Sequence, residues 1–171
     1  MKLIDVVGSP RRIWLTSFWG FRPETWGCIG FTAEGDRDRF VREFIDGVSP
    51  PGLVAIYVTT TAPRENAELR GKVVGIMEMT DILGEANEFI DVAKEPFVKK
   101  DLEAGRWRHS VKAGRAWKIR TDRYIPVAEA APESYWPGRA RHIGARGVEL
   151  TGQEAAALHQ APVVEASVFG S

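Results

Sequence analysis

The chain has 171 residues, of which 44% are hydrophobic and 27% charged, as expected for one globular domain of ordinary size with its own core. Lys plus Arg and Asp plus Glu both total 23, which excludes a strongly basic protein that coats nucleic acid without specificity. The single cysteine, Cys28, excludes an intramolecular disulfide framework and a multi-cysteine zinc site, and its apolar neighbours predict a buried, inert thiol. No stretch approaches about eighteen apolar residues, and no cleavage pattern follows the N-terminus. We therefore expect a cytoplasmic protein that does not contact a membrane.

The N-terminal half predicts three strands, one helix and an unusual loop. Residues 12–18 alternate apolar and other side chains and form the first predicted strand. Residues 17–31 are rich in aromatic side chains but interrupted by Gly and Pro, so we expect a loop that presents flat aromatic surface. Residues 36–47 carry an apolar stripe at helical spacing. The apolar runs 51–61 and 71–81 predict two neighbouring buried strands, most simply paired antiparallel.

The C-terminal half has weaker patterns. We expect a short helix near residues 97–102, a strand over 115–127 with Trp117 and Ile119 on one face, and a short helix broken by prolines over 131–144. Thr151 and Glu154 have the spacing of a capping box at the start of a last helix. Residues 163–169 predict a closing strand.

These elements favour an α+β fold. About five to seven strands and three or four short helices do not alternate strictly, which argues against a doubly wound parallel sheet. A curved, mixed or largely antiparallel sheet, or a small barrel with helices packed around its ends, fits better. We expect residues 1–171 to form a single domain, with residues about 122–171 as a C-terminal extension packed on it.

The familiar catalytic motifs are absent from the sequence, which has no GxGxxG, GxxxxGK[ST], HExxH, GxSxG or CxxC. The three histidines lie far apart, and none has a second metal ligand at a suitable spacing. Paired carboxylates are uninformative, because 23 acidic residues always permit some pair. The sequence thus predicts no catalytic residue, no metal site and no cofactor.

Aromatic surface is the remaining signal. Of six tryptophans, Trp19, Trp26 and Trp107 lie in loop-like contexts beside Gly, Pro or Arg. Packing of helices against the sheet is one interpretation of such residues. The alternative is a pocket for a flat ligand, since stacking of a nucleobase on an aromatic side chain contributes roughly 1–3 kcal/mol.

Polar residues that suit a nucleobase or its phosphates accompany these tryptophans. Ser17 and Asn87 are candidates for hydrogen bonds to the base edge. Residues 99–118 are rich in Lys and Arg, whereas residues 65–95 are acidic. Four basic residues are candidates for phosphate contacts, which fix position without reading sequence: Arg22, Arg106, Arg108 and Lys112.

The order of these segments resembles the PUA-like superfamily, in particular its EVE, ASCH and YTH branch. The segments are "RIWLTSFW", "VAIYVT", "RGKVVGIMEMTD" and "GRWRHSVKAGRAWKI", which span roughly residues 13–119. The resemblance implies a curved, barrel-like sheet and, in several members, a pocket for a modified base. Residues 17–26 would form one wall, including Phe18, and residues 107–110, with His109 and Ser110, would approach it. The sequence departs from the Lys-Ser-Glu-Pro loop usual in EVE members, having "TSFWGFRPE" instead.

Three functions are compatible with this resemblance. The first is a noncatalytic module that binds DNA or RNA and recognises a modified base, such as methylated cytosine or adenine, in an aromatic cage. The second is an ASCH-like, metal-independent ribonuclease that would recruit Lys112, Tyr57 and Arg115. The third is a sensor of a nucleoside or other small molecule, or a protein-interaction domain. The sequence leaves the oligomeric state open.

Overall fold

A computed structural model describes all 171 residues of the chain except the side chain of Phe97. The strands in this described part are β1 (Ile13–Phe18), β2 (Cys28–Phe31), β3 (Leu53–Val58), β4 (Lys72–Glu85), β5 (His109–Ile119), β6 (Ile125–Pro126), β7 (Val148–Glu149) and β8 (Val163–Ala166). The α-helices are α1 (Leu3–Val7), α2 (Glu34–Phe40), α3 (Pro96–Glu103), α4 (Val127–Ala130), α5 (Ala140–Arg146) and α6 (Gly152–Leu158). Helix α2 continues as a π-helix over Val41–Ile45.

The chain divides into two compact units. Unit 1 consists of Met1–Phe21, Leu53–Met77 and Trp117–Glu165. Unit 2 consists of Arg22–Gly52, Glu78–Ala116 and Ala166–Ser171. The long strands β4 and β5 each contribute residues to both units. The segment expected as a C-terminal extension is divided between them, with residues 122–165 in unit 1 and Ala166–Ser171 in unit 2.

Unit 1 contains the strand order β4-β3-β1-β7. Strands β1 and β3 are parallel, with Ile13 opposite Leu53, whereas β7 is antiparallel to β1 and β6 is antiparallel to β4. Every residue of β3 is buried, as expected for a continuous apolar run with both faces covered. Helices α1, α4, α5 and α6 bury their apolar residues in the same core cluster, whose largest member is Trp117.

Unit 2 contains the strand order β2-β5-β4, with β2 antiparallel to β5 and Cys28 opposite Lys112. Helix α2 and its π-helical continuation bury four apolar side chains, Phe40, Val41, Phe44 and Ile45. The Phe40 ring centre lies 5.6 Å from that of Phe31 on β2. A second small cluster contains Cys28, Ala86, Phe89, Ile90 and Val98.

The predicted α+β class with a mixed sheet is confirmed. The strands near residues 12–18, 51–61 and 71–81, the apolar stripe of α2 with its π-helical continuation, and the capping box of α6 are also confirmed. The Thr151 hydroxyl accepts a hydrogen bond from the Glu154 N–H, as its position predicted. Helix α3 matches the weak pattern near residues 97–102.

Several element predictions were wrong. The described chain has eight strands and six α-helices, more than predicted, partly because β6 and β7 have only two residues each and carry no periodic signal. Residues 28–31, predicted as loop, form strand β2, because Gly30 lets the strand approach the Trp107 backbone closely. Strand β5 begins at His109 and not at residue 115.

Candidate nucleic-acid interface

Two of the predicted pocket tryptophans are in contact in unit 2. The ring centres of Trp26 and Trp107 lie 6.4 Å apart and their planes are inclined by 54°. Both side chains are half-buried, so part of each indole reaches solvent. The separation is within the range of aromatic contacts, and the inclination leaves no parallel slot between these two rings. A bound base would therefore stack on an exposed ring face and not between the two indoles.

The Trp107 backbone has an uncommon conformation. Its φ of 51° lies in the left-handed region, where a large side chain is strained. Its N–H donates to the Thr32 hydroxyl at 3.2 Å, and a Cβ at Gly30 would clash with its carbonyl oxygen. Because strand β2 thus supports the strained backbone, the direction of the Trp107 ring is fixed by tertiary contacts.

Trp26 ends a tight turn that is held by a buried carboxylate. The Trp26 N–H donates to the Arg22 carbonyl at 2.8 Å. Glu95, which is only 4% exposed, accepts from the Arg22 guanidinium at 2.6 Å and from the Thr25 hydroxyl at 2.8 Å. The Arg22 guanidinium itself is largely exposed. Such charge-assisted bonds order the loop that carries Trp26.

Ser110 supports the tryptophan pair from within strand β5. It is fully buried and its hydroxyl donates to the Trp107 carbonyl at 3.4 Å. It also hydrogen-bonds Cys28, whose pKa is raised to about 12 by burial, although bonds to Ser110 and Trp26 act in the opposite direction. The predicted burial of the Cys28 thiol is thus confirmed. His109 is half-buried and pairs with Phe31 on β2.

Asn87 and Arg108 line an open cavity of about 590 Å³ in unit 2. Its apolar side is formed by Ala86, Val92 and Leu102. Lys99 of α3 adds a second cation, and Glu85 pairs with Arg108 through a 2.9 Å hydrogen bond. That bond lowers the pKa of Glu85 and raises that of Arg108, so both side chains are charged at neutral pH.

The four predicted phosphate contacts all have partners within the protein. Arg22 binds Glu95 as described above, Arg106 binds Asp101 at 3.2 Å and Arg108 binds Glu85. The Lys112 ammonium donates to the Ser171 hydroxyl at 2.9 Å. A phosphate would have to share or displace these partners.

The remaining predicted site residues belong to unit 1. Ser17 and Phe18 end strand β1, and the half-buried Trp19 follows, with its carbonyl accepting from the Asn66 amide at 2.8 Å. The Ser17 hydroxyl hydrogen-bonds Tyr57, whose pKa is raised to about 12 by burial. Tyr57, which the ribonuclease alternative would recruit, is only 2% exposed.

A basic and aromatic surface in unit 1 was not predicted from the sequence. Residues 136–147 carry three arginines and His142 and no acidic residue. Trp136 is 51% exposed, and the Arg139 guanidinium lies 4.8 Å from its ring centre. Arg141, His142 and Arg146 are exposed on α5. The sequence signal for this surface is the local excess of positive charge over residues 136–147.

Helix α5 lies beside the end of β1. A Cβ built at Gly144 would be 3.2 Å from the Ser17 hydroxyl oxygen, a tighter approach than most side chains make. The basic surface, defined as residues 136–146, therefore adjoins the start of the predicted aromatic loop within unit 1.

The described chain is a small α+β module with a mixed sheet, and a comparison with solved structures shows what this fold is similar to. The chain is similar in structure to the YTH domain of the Zygosaccharomyces rouxii MRB1 protein, solved in complex with N6-methyladenosine RNA. The TM-score is 0.51 over 87% of this chain and 86% of that domain, with 14% sequence identity. At this identity the likeness establishes a YTH-like fold, as the resemblance implied. No protein-family model matches the chain, and no curated protein matches it in sequence.

The described residues contain neither a membrane-spanning helix nor a metal cluster. None of the helices in this part of the chain combines the length and apolar character needed to cross a membrane. Nor do three or more His, Cys, Asp or Glu side chains come together in it in a way that could hold a metal ion.

Proposed function

We propose that the protein is a noncatalytic nucleic-acid-binding module that recognises a methylated base in RNA. The observation that carries this proposal is the shared fold with a domain solved in complex with N6-methyladenosine RNA. In this chain the proposed base contacts are Trp26 and Trp107, whose half-exposed rings meet at a fixed angle in unit 2. N6-methyladenine is the proposed base, because its added methyl group favours apolar aromatic surface over water.

The other predicted site residues keep their proposed roles. Within unit 2, Asn87 and His109 are proposed to contact base edges, and Ser110 supports Trp107. Ser17, Phe18 and Trp19 belong to unit 1 and stay sequence-based predictions of base contacts. Arg106 and Arg108 are proposed to contact phosphates after exchanging their internal partners, whereas Arg22 and Lys112 are proposed to contact phosphates while keeping Glu95 and Ser171 as partners.

The first test compares RNA with and without the methyl group. Burying one methyl contributes about 0.8 kcal/mol, so we expect about fourfold tighter binding of a single-stranded RNA with one N6-methyladenosine. Fluorescence anisotropy with matched methylated and unmethylated RNA at one fixed salt concentration measures this ratio. Methylated DNA of the same sequence tests the preference for RNA. Equal binding of both RNAs would contradict the proposal.

The basic surface of residues 136–146 is proposed to contact RNA phosphates. Replacing both Arg141 and Arg146 with Ala should weaken the binding of methylated RNA and of unmethylated RNA by the same factor, since phosphate contacts carry no base information. The slope of log affinity against log salt should become shallower by about 0.7 for each phosphate that is no longer neutralised. Arg64→Ala is the matched control, because Arg64 is an exposed arginine of unit 1 outside this surface. An unchanged slope in the double variant would exclude this role.

A further inference from the structure

Residues 168–171 lie against the loop that carries Trp26, within unit 2. Val168 is buried, and the Phe169 N–H donates to the Pro23 carbonyl at 2.8 Å. The Ser171 N–H donates to the Val168 carbonyl at 3.2 Å, and Gly170, with a φ of 82°, provides the left-handed residue of this turn. We call residues 168–171 the strap.

A second anchor ties the strap to strand β5. The Lys112 ammonium donates to the Ser171 hydroxyl at 2.9 Å and to the Ala113 carbonyl at 3.2 Å. The next strand residue, Ala113, donates its N–H to the Gly27 carbonyl at 2.9 Å. The strap is therefore attached to Lys112 of β5, and the end of the Trp26 loop is attached to the neighbouring residue Ala113.

Gly27 makes the contact between the strap and the loop possible. It is buried, and a Cβ at this position would lie 2.6 Å from the Phe169 carbonyl oxygen and 2.9 Å from Val168 Cγ1. Real Cβ atoms do not approach a backbone oxygen so closely, so any larger residue would displace the strap or the loop. Because Gly27 directly follows Trp26, such a displacement would act on the base of the Trp26 side chain.

We infer that the strap is a positioning element that holds Trp26 in place for the methylated base, an inference that rests on the proposed function. The loop is held at one side by Glu95, through Arg22 and Thr25, and at the other by the strap, through Pro23 and Gly27. A stacking side chain on a loop of this length has many alternative orientations. Holding both sides before binding removes the cost of ordering the loop when the base arrives. In this arrangement Lys112 anchors the strap.

Gly27→Ala and deletion of residues 168–171 test the strap in two independent ways. The readout that needs no ligand is hydrogen exchange of the Trp26 and Gly27 amides. We expect these amides to exchange roughly tenfold faster in both variants, because bonds that hold the loop closed are lost. The amides of β3 should stay protected, which shows that unit 1 remains folded. Gly35→Ala is the matched control, since nothing lies within 4 Å of its Cβ position.

RNA binding completes the test. We expect the ratio of the affinities for methylated and unmethylated RNA to fall towards one in both strap variants and to stay unchanged in Gly35→Ala. Unchanged exchange in both variants, or faster exchange with the full preference retained, would overturn the inference. If the unaltered protein shows no methyl preference, the proposed function fails instead. The exchange data then still decide whether the strap orders the loop: faster exchange supports that step and unchanged exchange overturns it.

Discussion

Replacing Trp107 with Ala is expected to weaken binding of N6-methyladenosine RNA by about 5- to 150-fold, because one stacked base is worth roughly 1–3 kcal/mol. The loss for unmethylated RNA should be smaller by about fourfold, so the methyl preference should approach one. Trp107→Phe keeps an aromatic face and should lose only part of the affinity. Anisotropy titrations of the three proteins with the same pair of RNAs measure these changes.

The contact between Trp26 and Trp107 makes a sharper version of this prediction possible. Two rings 6.4 Å apart that serve one base should not act independently. The double variant Trp26→Ala, Trp107→Ala should therefore lose little more affinity than the worse single variant. Full additivity of the two losses would mean that the two rings contact different parts of the RNA.

A control must separate the loss of stacking from the loss of fold. Ile82→Ala removes another large apolar side chain of unit 2 that is 49% exposed and lies outside the tryptophan pair. It should leave both affinities unchanged. A thermal melt of each variant shows whether it is folded at the titration temperature, and a weak-binding variant that melts below that temperature is uninformative about stacking.

Local patterns predicted the regular part of the fold. The continuous apolar run of β3, the stripe that ends in Phe44 and Ile45, and the Thr151–Glu154 capping box depend on neighbours in sequence, so they could be identified there. Strand β2 could not be identified from its local sequence. Gly30 was interpreted as a breaker, yet its missing side chain is what allows close packing against the Trp107 backbone. That partner is a residue far along the chain, and no local pattern indicates it.

The sequence likewise predicted the residue types of the candidate site but not the contacts between them. Aromatic composition indicated Trp26 and Trp107, but their 54° contact depends on the pairing of β2 with β5 and on the left-handed Trp107 backbone. The phosphate candidates were chosen by charge alone. The carboxylate partner of Arg22 could not be predicted, because Arg22 and Glu95 are 73 residues apart in the chain. The basic surface around Trp136 is a local excess of positive charge, so it could have been found from the sequence.

The buried carboxylate of Glu154 is expected to contribute strongly to stability. It is 4% exposed and accepts hydrogen bonds from the N–H groups of Thr151 at 2.9 Å, Glu133 at 2.9 Å and Ser134 at 3.1 Å, and from the Ser134 hydroxyl. Glu154→Ala leaves these donors without an acceptor, so we expect a loss of about 3 kcal/mol in the free energy of unfolding. Urea unfolding at neutral pH measures it. Gln153→Ala on the same helix alters an exposed side chain and should change stability by less than about 0.5 kcal/mol.

The Glu154 carboxylate also makes the free energy of unfolding depend on pH. Burial acts to raise the pKa of Glu154, but the hydrogen bonds from Ser134, Thr151 and Glu133 outweigh it, and the pKa is lowered. A carboxyl group with a lowered folded-state pKa contributes stability that is present above its unfolded pKa, about 4.3, and is lost as the pH falls through the folded value. The difference in unfolding free energy between the unaltered protein and Glu154→Gln, which cannot ionise, should therefore shrink between neutral pH and about pH 3. A difference that stays constant over this range would mean that the ionised carboxylate is not what the buried donors require.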